Sequence, residues 1–176
     1  MDYTHDKENL SAFKKLVDTY EGALLRYVAK LTGNPSCAED VVQNTFIKFI
    51  RKWEKGLEIS SDVASWLYRV AHNEAVDHVR SEARIRKLHA EHGEECVARQ
   101  GNDGPSEVTE RAENAAQALS KLSDRERQLV ILKVYEEKSY KEIAEITGLS
   151  VSNVGFILHT AMKKLAKMLQ AGEAKK

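Results

Sequence analysis

The sequence of 176 residues contains two cysteines, two prolines and nine glycines. A chain with 42% hydrophobic residues can form a core without disulfides, so Cys37 and Cys96 are expected to be reduced thiols. The longest aliphatic run, Leu129 to Leu132, is far shorter than the ~20 residues of a membrane helix, and the charged N-terminus lacks the apolar segment of a signal peptide. We therefore expect a cytoplasmic protein without a membrane segment.

Motifs of enzyme active sites are also missing. The sequence has no glycine-rich phosphate loop, no GxSxG and no HExxH, and its carboxylates are scattered over charged helix faces. His89, His92 and Cys96 have helical spacing, and Cys37 could complete a set of four zinc ligands, but no CxxC pair accompanies them. We expect no enzyme activity, no metal site and no cofactor.

The formal net charge of zero conceals a segregation of charge along the chain. Residues 91–126 hold nine acidic and four basic residues, whereas residues 127–176 hold nine basic and five acidic ones. A basic terminal segment is typical of nucleic-acid binding, and a solvated helix face has the same composition.

Apolar residues recur every three or four positions, and alternation typical of strands is nearly absent, which predicts an all-α fold. The acidic, glycine-bearing segment from His89 to Pro105 has no apolar stripe, so it is expected to be a linker. The predicted organisation is a helical domain at 1–88, a flexible acidic linker at 89–106 and a second small helical domain at 107–172.

Predicted helix limits follow from apolar stripes and from capping boxes, in which a serine is followed three residues later by a glutamate. Such pairs occur at Ser36/Glu39, Ser123/Glu126 and Ser139/Glu142. The predicted helices of the first domain run over about Leu10–Leu31, Ser36–Gly56 and Val63–Lys87. Those of the second domain run over about Glu107–Lys121, Asp124–Glu137, Tyr140–Thr147 and Val151–Leu169.

The segment YKEIAEITGLSVSNVGFIL has the pattern of a helix-turn-helix. Ala144 is small where two helices would cross, and Gly148 lies where a tight turn needs a positive φ. Leu149 and Val154 are then expected in the core, with Ser150 as the cap of the second helix. An ordinary helical hairpin is the alternative interpretation.

Three motifs in order resemble the extracytoplasmic-function group of bacterial RNA polymerase sigma factors. They are AEDVVQNTFIKFIRKW from Ala38, ASWLYRVAHNEAVDHVR from Ala64 and LSDRERQLVILKVYEEKSYKEIAEITGLSVSNV from Leu122. The resemblance covers nearly the whole chain. It implies that sigma regions 2 and 4 flank the linker, and that the protein binds core RNA polymerase and promoter DNA to start transcription. It also implies an anti-sigma factor or another regulator as a partner, and a linker that threads toward the polymerase cleft. A simple solvated tether is the alternative for the linker.

The first motif matches the family's helix that docks on the clamp helices of the polymerase. The resemblance assigns core binding to Asp40, Gln43 and Asn44, although the family more often has glutamate at the third position. The alternative is that these polar residues only solvate an amphipathic helix.

The second motif matches the family's segment that melts DNA and holds the −10 element. The loop from Leu57 to Asp62 could receive an extruded base. Trp66 lies on the apolar stripe, so we expect it in the core rather than as a stacking platform. The resemblance assigns −10 binding to His72, Asn73, Asp77, Arg80 and Arg84.

The third motif departs from the family at the helix expected to bind the −35 element. The family usually has lysine or arginine at the positions held here by Gly155, Ile157 and Thr160, and phosphate contacts supply much of the affinity. In one account, base edges and methyl groups are contacted by Asn153, Phe156 and His159, while phosphates are held by Lys141, Ser152, Lys163 and Lys164.

In a second account, exposed Phe156 and Ile157 face a protein partner. That account corresponds to a sigma-like adaptor. A further alternative is a free-standing helix-turn-helix regulator that binds duplex DNA without polymerase.

Overall fold

The structure, a computed structural model, describes residues 3–53, 63–91 and 116–173. All regular elements in these ranges are helical, which confirms the predicted all-α class. The elements are α1 (Tyr3–Thr32), α2 (Pro35–Trp53), α3 (Val63–Glu91), α4 (residues 116–120), α5 (Asp124–Val130) with a π-helical continuation (Ile131–Tyr135), α6 (Tyr140–Thr147) and α7 (Val151–Glu173). None of the helices within these ranges is long and apolar enough to span a bilayer.

The chain divides into two compact units, the first formed mainly by residues up to Val79 and the second mainly by residues after it. Helix α3 continues to Glu91, so the first three residues of the predicted linker are helical. The predicted loop at Leu57–Asp62, as well as His92 and Cys96, lies outside the described residues.

Helix α1 begins at Tyr3, seven residues before the predicted start. Leu10, which was expected on the buried stripe, is 69% exposed. The sequence before Leu10 contains good helix formers such as Lys7 and Glu8, which favour this earlier start. The helix ends at Gly33, whose φ of 69° is accessible to glycine without strain.

The predicted capping box of α2 is wrong. Asn34, not Ser36, caps this helix: its side-chain Oδ1 accepts a hydrogen bond from the backbone N–H of Cys37 at 3.2 Å. Pro35 then occupies the first helical position, where its missing N–H costs nothing and its fixed φ suits the helix. Ser36 lies inside the first turn, so it cannot act as the cap.

Aromatic side chains join the three helices of the first unit. The Phe13 ring of α1 stacks on Phe49 of α2 with centroids 6.3 Å apart, and Trp66 of α3 meets Phe49 at 5.8 Å. Trp66 is half-buried, and the Lys52 ammonium lies 5.4 Å from its ring centroid. Trp66 therefore packs against the core, as the apolar stripe predicts.

In the second unit, both remaining capping boxes are present. Glu126 Oε2 accepts from the Ser123 backbone N–H at 3.0 Å, and Ser123 Oγ accepts from the Glu126 N–H at 3.4 Å. The pair Ser139/Glu142 makes the same reciprocal bonds at 2.8 and 3.2 Å. The buried apolar residues of this unit include Leu129, Ile131, Leu132, Ile143, Val154 and Leu158.

The helix that starts at Asp124 loses its α geometry before the predicted end at Glu137. Residues Ile131–Tyr135 form a π-helical turn, and Glu137 takes a φ of 52°. The Lys138 N–H donates to the Leu132 carbonyl at 3.0 Å and closes the helix end. This left-handed residue turns the chain toward α6.

Candidate nucleic-acid interface

Helices α6 and α7 form the predicted helix-turn-helix. Gly148 has a φ of 71°, as the tight turn requires. Ser150 Oγ accepts from the Asn153 backbone N–H at 3.2 Å, so Ser150 caps α7 as predicted. Val154 is fully buried, while Ala144 and Leu149 are half-buried. The pattern of small residue, glycine and aliphatic residues is therefore confirmed as a packed helix-turn-helix.

One face of α7 presents amide, aromatic and imidazole groups to solvent. Asn153, Phe156 and His159 are three residues apart, and all three are exposed; the exposed fraction of Phe156 is 73%. Ser152 is exposed next to them in the first turn. Ile157, which was expected to be exposed, is half-buried. The exposed apolar area on this face is thus smaller than a protein-facing patch formed by both Phe156 and Ile157 would require.

The lysines around α7 that are predicted to contact phosphates differ in whether they form an ion pair. Lys141 and Lys163 are exposed and have no ion-pair partner within the described ranges. Lys164 Nζ, in contrast, donates to Glu126 Oε1 at 2.7 Å. The ammonium of Lys164 is thus engaged by a buried carboxylate of α5, while its side chain stays half exposed.

Glu126 has an unusual environment for a carboxylate. It is buried, and it accepts hydrogen bonds from both Lys164 and Ser123. The Lys164 hydrogen bond, followed by the bonds from Ser123, outweighs burial and lowers the pKa of Glu126 below its usual 4.5. Likewise, hydrogen bonds from Ser139 lower the pKa of Glu142. Both carboxylates are therefore ionised at neutral pH and fix the starts of α5 and α6.

Helix α3 carries the residues predicted to bind the −10 element. Asn73, Asp77, Arg80 and Arg84 are exposed and follow one another at intervals of three or four residues, so they lie along one face of this helix.

His72 does not lie on this face, and its prediction as a DNA contact is wrong. Its side chain is buried, with 3% exposure, and Nδ1 lies 2.7 Å from the hydroxyl of Tyr27. The two rings also stack, with centroids 6.4 Å apart. His72 is a hydrogen-bonded core residue that joins α3 to α1.

On α2, Asp40, Gln43 and Asn44 are exposed on one face of the helix. Asp40 and Gln43 line an open groove of about 490 Å³ between α1 and α2. Its apolar lining residues include Phe13, Val17, Leu25, Phe46, Ile47 and Ile50. The sequence motif indicates only the polar part of this surface. The one local sign of the apolar part is Ile47, an exposed apolar residue between polar residues of the same helix.

Of the suggested zinc ligands, the structure describes Cys37 and His89, whereas His92 and Cys96 lie outside the described residues. Cys37 is buried in the first turn of α2 and forms no disulfide. Within the described ranges, no group of three or more histidine, cysteine or acidic side chains could hold a metal ion.

Comparisons with known proteins match both units. The family model for Sigma-70 region 2 matches residues 16–85, and the model for Sigma-70 region 4 matches residues 112–165. The chain is 30% identical to the RNA polymerase sigma factor YlaC of Bacillus subtilis (strain 168), over 89% of this chain and 91% of that protein. It is 32% identical to the ECF RNA polymerase sigma factor SigL of Mycobacterium tuberculosis (strain H37Rv), over 89% and 88% of the two chains.

A solved structure with the same fold is that of the sigma factor RpoE in complex with the anti-sigma factor NepR from Bartonella quintana. It has a TM-score of 0.68 and 25% identity, covering 90% of this chain and 97% of that one. CnrH, solved in complex with the cytosolic domain of CnrY, shares the fold with a TM-score of 0.68 and 23% identity.

Proposed function

Because the chain belongs to the extracytoplasmic-function group of the sigma-70 family, we propose specific surfaces for the three tasks of a sigma factor. It binds core RNA polymerase through α2, opens the −10 element with α3 and reads the −35 element with α7. The observation that carries the proposal is the capped, packed helix-turn-helix with Asn153, Phe156 and His159 on its exposed face. Catalysis belongs to the core enzyme, and this chain supplies no reacting group.

Core binding is assigned to Asp40, Gln43 and Asn44. The exposed carboxylate and amides lie beside the apolar groove between α1 and α2, so the surface combines polar groups that can fix register with apolar area that can be buried. Asn44 is exposed on the same helix but does not line the groove. We therefore expect Asp40 and Gln43 to contribute more than Asn44.

Binding of the −10 element is assigned to Asn73, Asp77, Arg80 and Arg84 along α3. Asn73 offers both an amide donor and a carbonyl acceptor to the edge of an unpaired base. Arg80 and Arg84 lie about two and three turns further along the helix, where guanidinium groups can hold backbone phosphates.

Reading of the −35 element is assigned to α7. Asn153 can pair with an adenine edge, and Phe156 can pack on thymine methyl groups in the major groove, while His159 supplies a further polar contact. Ser152 lies in the first turn with free backbone donors, and Lys141 and Lys163 supply exposed ammonium groups for phosphates. The half-buried position of Ile157 supports this account over a protein-facing apolar patch.

The remaining assignments concern the whole chain. We place region 2 at residues 1–88 and region 4 at 107–172, with a tether between them. Its location is the cytoplasm, where core polymerase and promoter DNA are found. A protein regulator is also proposed, because the similar RpoE was solved with an anti-sigma factor.

A binding assay with core polymerase tests the first assignment. The double variant Asp40→Ala/Gln43→Ala should bind core polymerase at least tenfold more weakly, a loss of about 1.4 kcal/mol. Lys14→Ala is the matched control, since Lys14 is exposed on α1 outside the groove lining. Equal affinity of the double variant and the control would contradict the assignment of this surface.

A further inference from the structure

An ion pair joins the helix proposed to bind core polymerase to the helix proposed to bind the −10 element. The ammonium of Lys48 on α2 contacts the carboxylate of Glu74 on α3, 26 positions further along the chain. The side chain of Lys48 is 52% exposed, whereas that of Glu74 is 22% exposed. The pair therefore lies at the edge of the packing between α2 and α3, where solvent still reaches it.

Glu74 borders the −10 face of α3, the exposed face with Asn73, Asp77, Arg80 and Arg84. It directly follows Asn73 and precedes Asp77 by three residues, a separation that makes side chains neighbours on a helix surface. An uncompensated carboxylate at this border would repel a nucleic-acid strand that approaches Asn73.

Helix α3 does not place a cation beside this carboxylate. Residues 70–79 contain Glu74 and Asp77 but no lysine or arginine. Arg69 and Arg80 lie five and six residues from Glu74, which places them about 140° and about 120° around the helix from it. Asp77 can take part in binding, because a carboxylate accepts a hydrogen bond from the amino group of a base. The charge of Glu74 is instead compensated from the neighbouring helix, by Lys48.

A second lysine of α2 also reaches α3, with a different result. Lys52 follows Lys48 by one turn, and its ammonium lies 5.4 Å from the centroid of the Trp66 ring. A contact with a ring leaves the charges of α3 as they are, whereas the contact with Glu74 cancels one of them. Lys52 is therefore a matched reference for what Lys48 does.

We infer that Lys48 is a positioning residue for the −10 element. It holds the Glu74 carboxylate toward α2 and compensates its charge, so that a single strand can approach Asn73 without repulsion. Lys48 acts through Glu74 and not through a phosphate of its own. This inference rests on the proposed binding of the −10 element by α3.

The affinity of the holoenzyme for a single-stranded nontemplate −10 segment tests the inference, with the segment taken from a promoter that shows a chain-dependent start site. Lys48→Ala should weaken binding about three- to fivefold at about 0.05 M salt and less at about 0.5 M salt, where repulsion between Glu74 and phosphates is screened. Lys52→Ala removes the same charge from the same helix and should cost clearly less. Thermal unfolding and affinity for core polymerase should be the same in both variants, because an exposed ion pair adds little to stability.

Variants of Glu74 separate compensation from direct contact. Lys48→Ala/Glu74→Gln should bind the strand as the unmodified chain does, because no carboxylate is left to repel it. The exchanged pair Lys48→Glu/Glu74→Lys should also restore binding, since it keeps the ion pair with reversed polarity. A loss in Lys48→Ala that persists in Lys48→Ala/Glu74→Gln would show that Lys48 contacts a phosphate itself and would overturn the inference.

Two further outcomes separate the inference from the function on which it rests. Unchanged strand binding in Lys48→Ala, together with weaker binding in Asn73→Ala, would overturn the role of Lys48 and leave the proposed −10 function standing. Unchanged strand binding in both Asn73→Ala and Arg80→Ala would instead overturn the assignment of the −10 element to α3.

Discussion

Lys164 of α7 and Glu126 of α5 form an ion pair, with 2.7 Å between Nζ and Oε1, across 38 positions of sequence. The same carboxylate closes the capping box with Ser123 at the start of α5. One buried side chain thus fixes the beginning of one helix and ties it to the helix that carries the reading face. As a result, the two lysines of α7 that follow this face, Lys163 and Lys164, are expected to have different roles.

Lys163→Ala and Lys164→Ala should therefore have separable effects. Lys164→Ala leaves Glu126 without its charged partner and should lower the free energy of unfolding by about 1–2 kcal/mol. Lys163→Ala should leave stability unchanged and reduce the salt dependence of promoter binding by about one contact. Thermal unfolding and salt titrations of both variants check this, and equal behaviour of the two would contradict it.

The pH dependence of the second unit should follow Glu126. Because its pKa in the folded chain lies below the usual 4.5, its stabilising contribution is complete above about pH 4.5 and is lost as the pH falls through the lowered value. Glu126→Gln should be less stable at pH 7 and should lose less stability on acidification. Hydrogen exchange of the peptides covering α5 and α7 between pH 3 and 7, extrapolated to a common intrinsic rate, measures this effect.

The matched control for the acid response is Glu145→Gln, since Glu145 is an exposed carboxylate of α6. The control should keep the acid response of the unmodified chain. The same acid loss in Glu126→Gln as in the unmodified chain would show that Glu126 does not govern it.

Phe156→Ala should reduce −35-dependent initiation about five- to tenfold, because it removes an apolar contact to thymine methyl groups. Met162→Ala is the control, as Met162 is 48% exposed further along the same helix. Initiation rates on promoters with intact and altered −35 elements measure the effect. Normal initiation combined with lost binding of a protein regulator would support the protein-facing account instead.

Substitutions that affect the neighbouring residues His72 and Asn73 should have different consequences, the first for stability and the second for promoter opening. Tyr27→Phe removes the 2.7 Å hydrogen bond to His72 and should lower the free energy of unfolding by about 1 kcal/mol, with promoter opening unchanged. Asn73→Ala should leave stability unchanged and slow promoter opening. Urea unfolding followed by tryptophan fluorescence, together with permanganate footprinting of the −10 element, separates the two; a stability loss in Asn73→Ala would contradict its surface role.

Local signals were sufficient to predict much of the second unit. The capping boxes at Ser123 and Ser139 and the turn at Gly148 depend on residues within a few positions of one another, and the structure confirms all three. Where two nearby residues compete, as Asn34 and Ser36 do for the cap of α2, the proline between them decides. The Ser36/Glu39 spacing predicts the wrong cap because it takes no account of Pro35.

Long-range contacts could not be predicted in this way. The burial of His72 depends on Tyr27, which is 45 positions away, and the ion pair of Lys164 depends on Glu126. A polar residue whose spacing predicts a DNA contact can thus belong to the core, or to an ion pair within the protein, instead of the DNA interface.

Run-off transcription with purified core polymerase on genomic DNA, with and without this chain, tests the central claim most directly. We expect new start sites that depend on the chain and share both a −10 and a −35 motif. The start sites that remain active with the Phe156→Ala variant should no longer share the −35 motif. Absence of chain-dependent start sites would contradict the assignment of the chain as a promoter-directing subunit, and start sites that share only a −10 motif would contradict the reading function of α7.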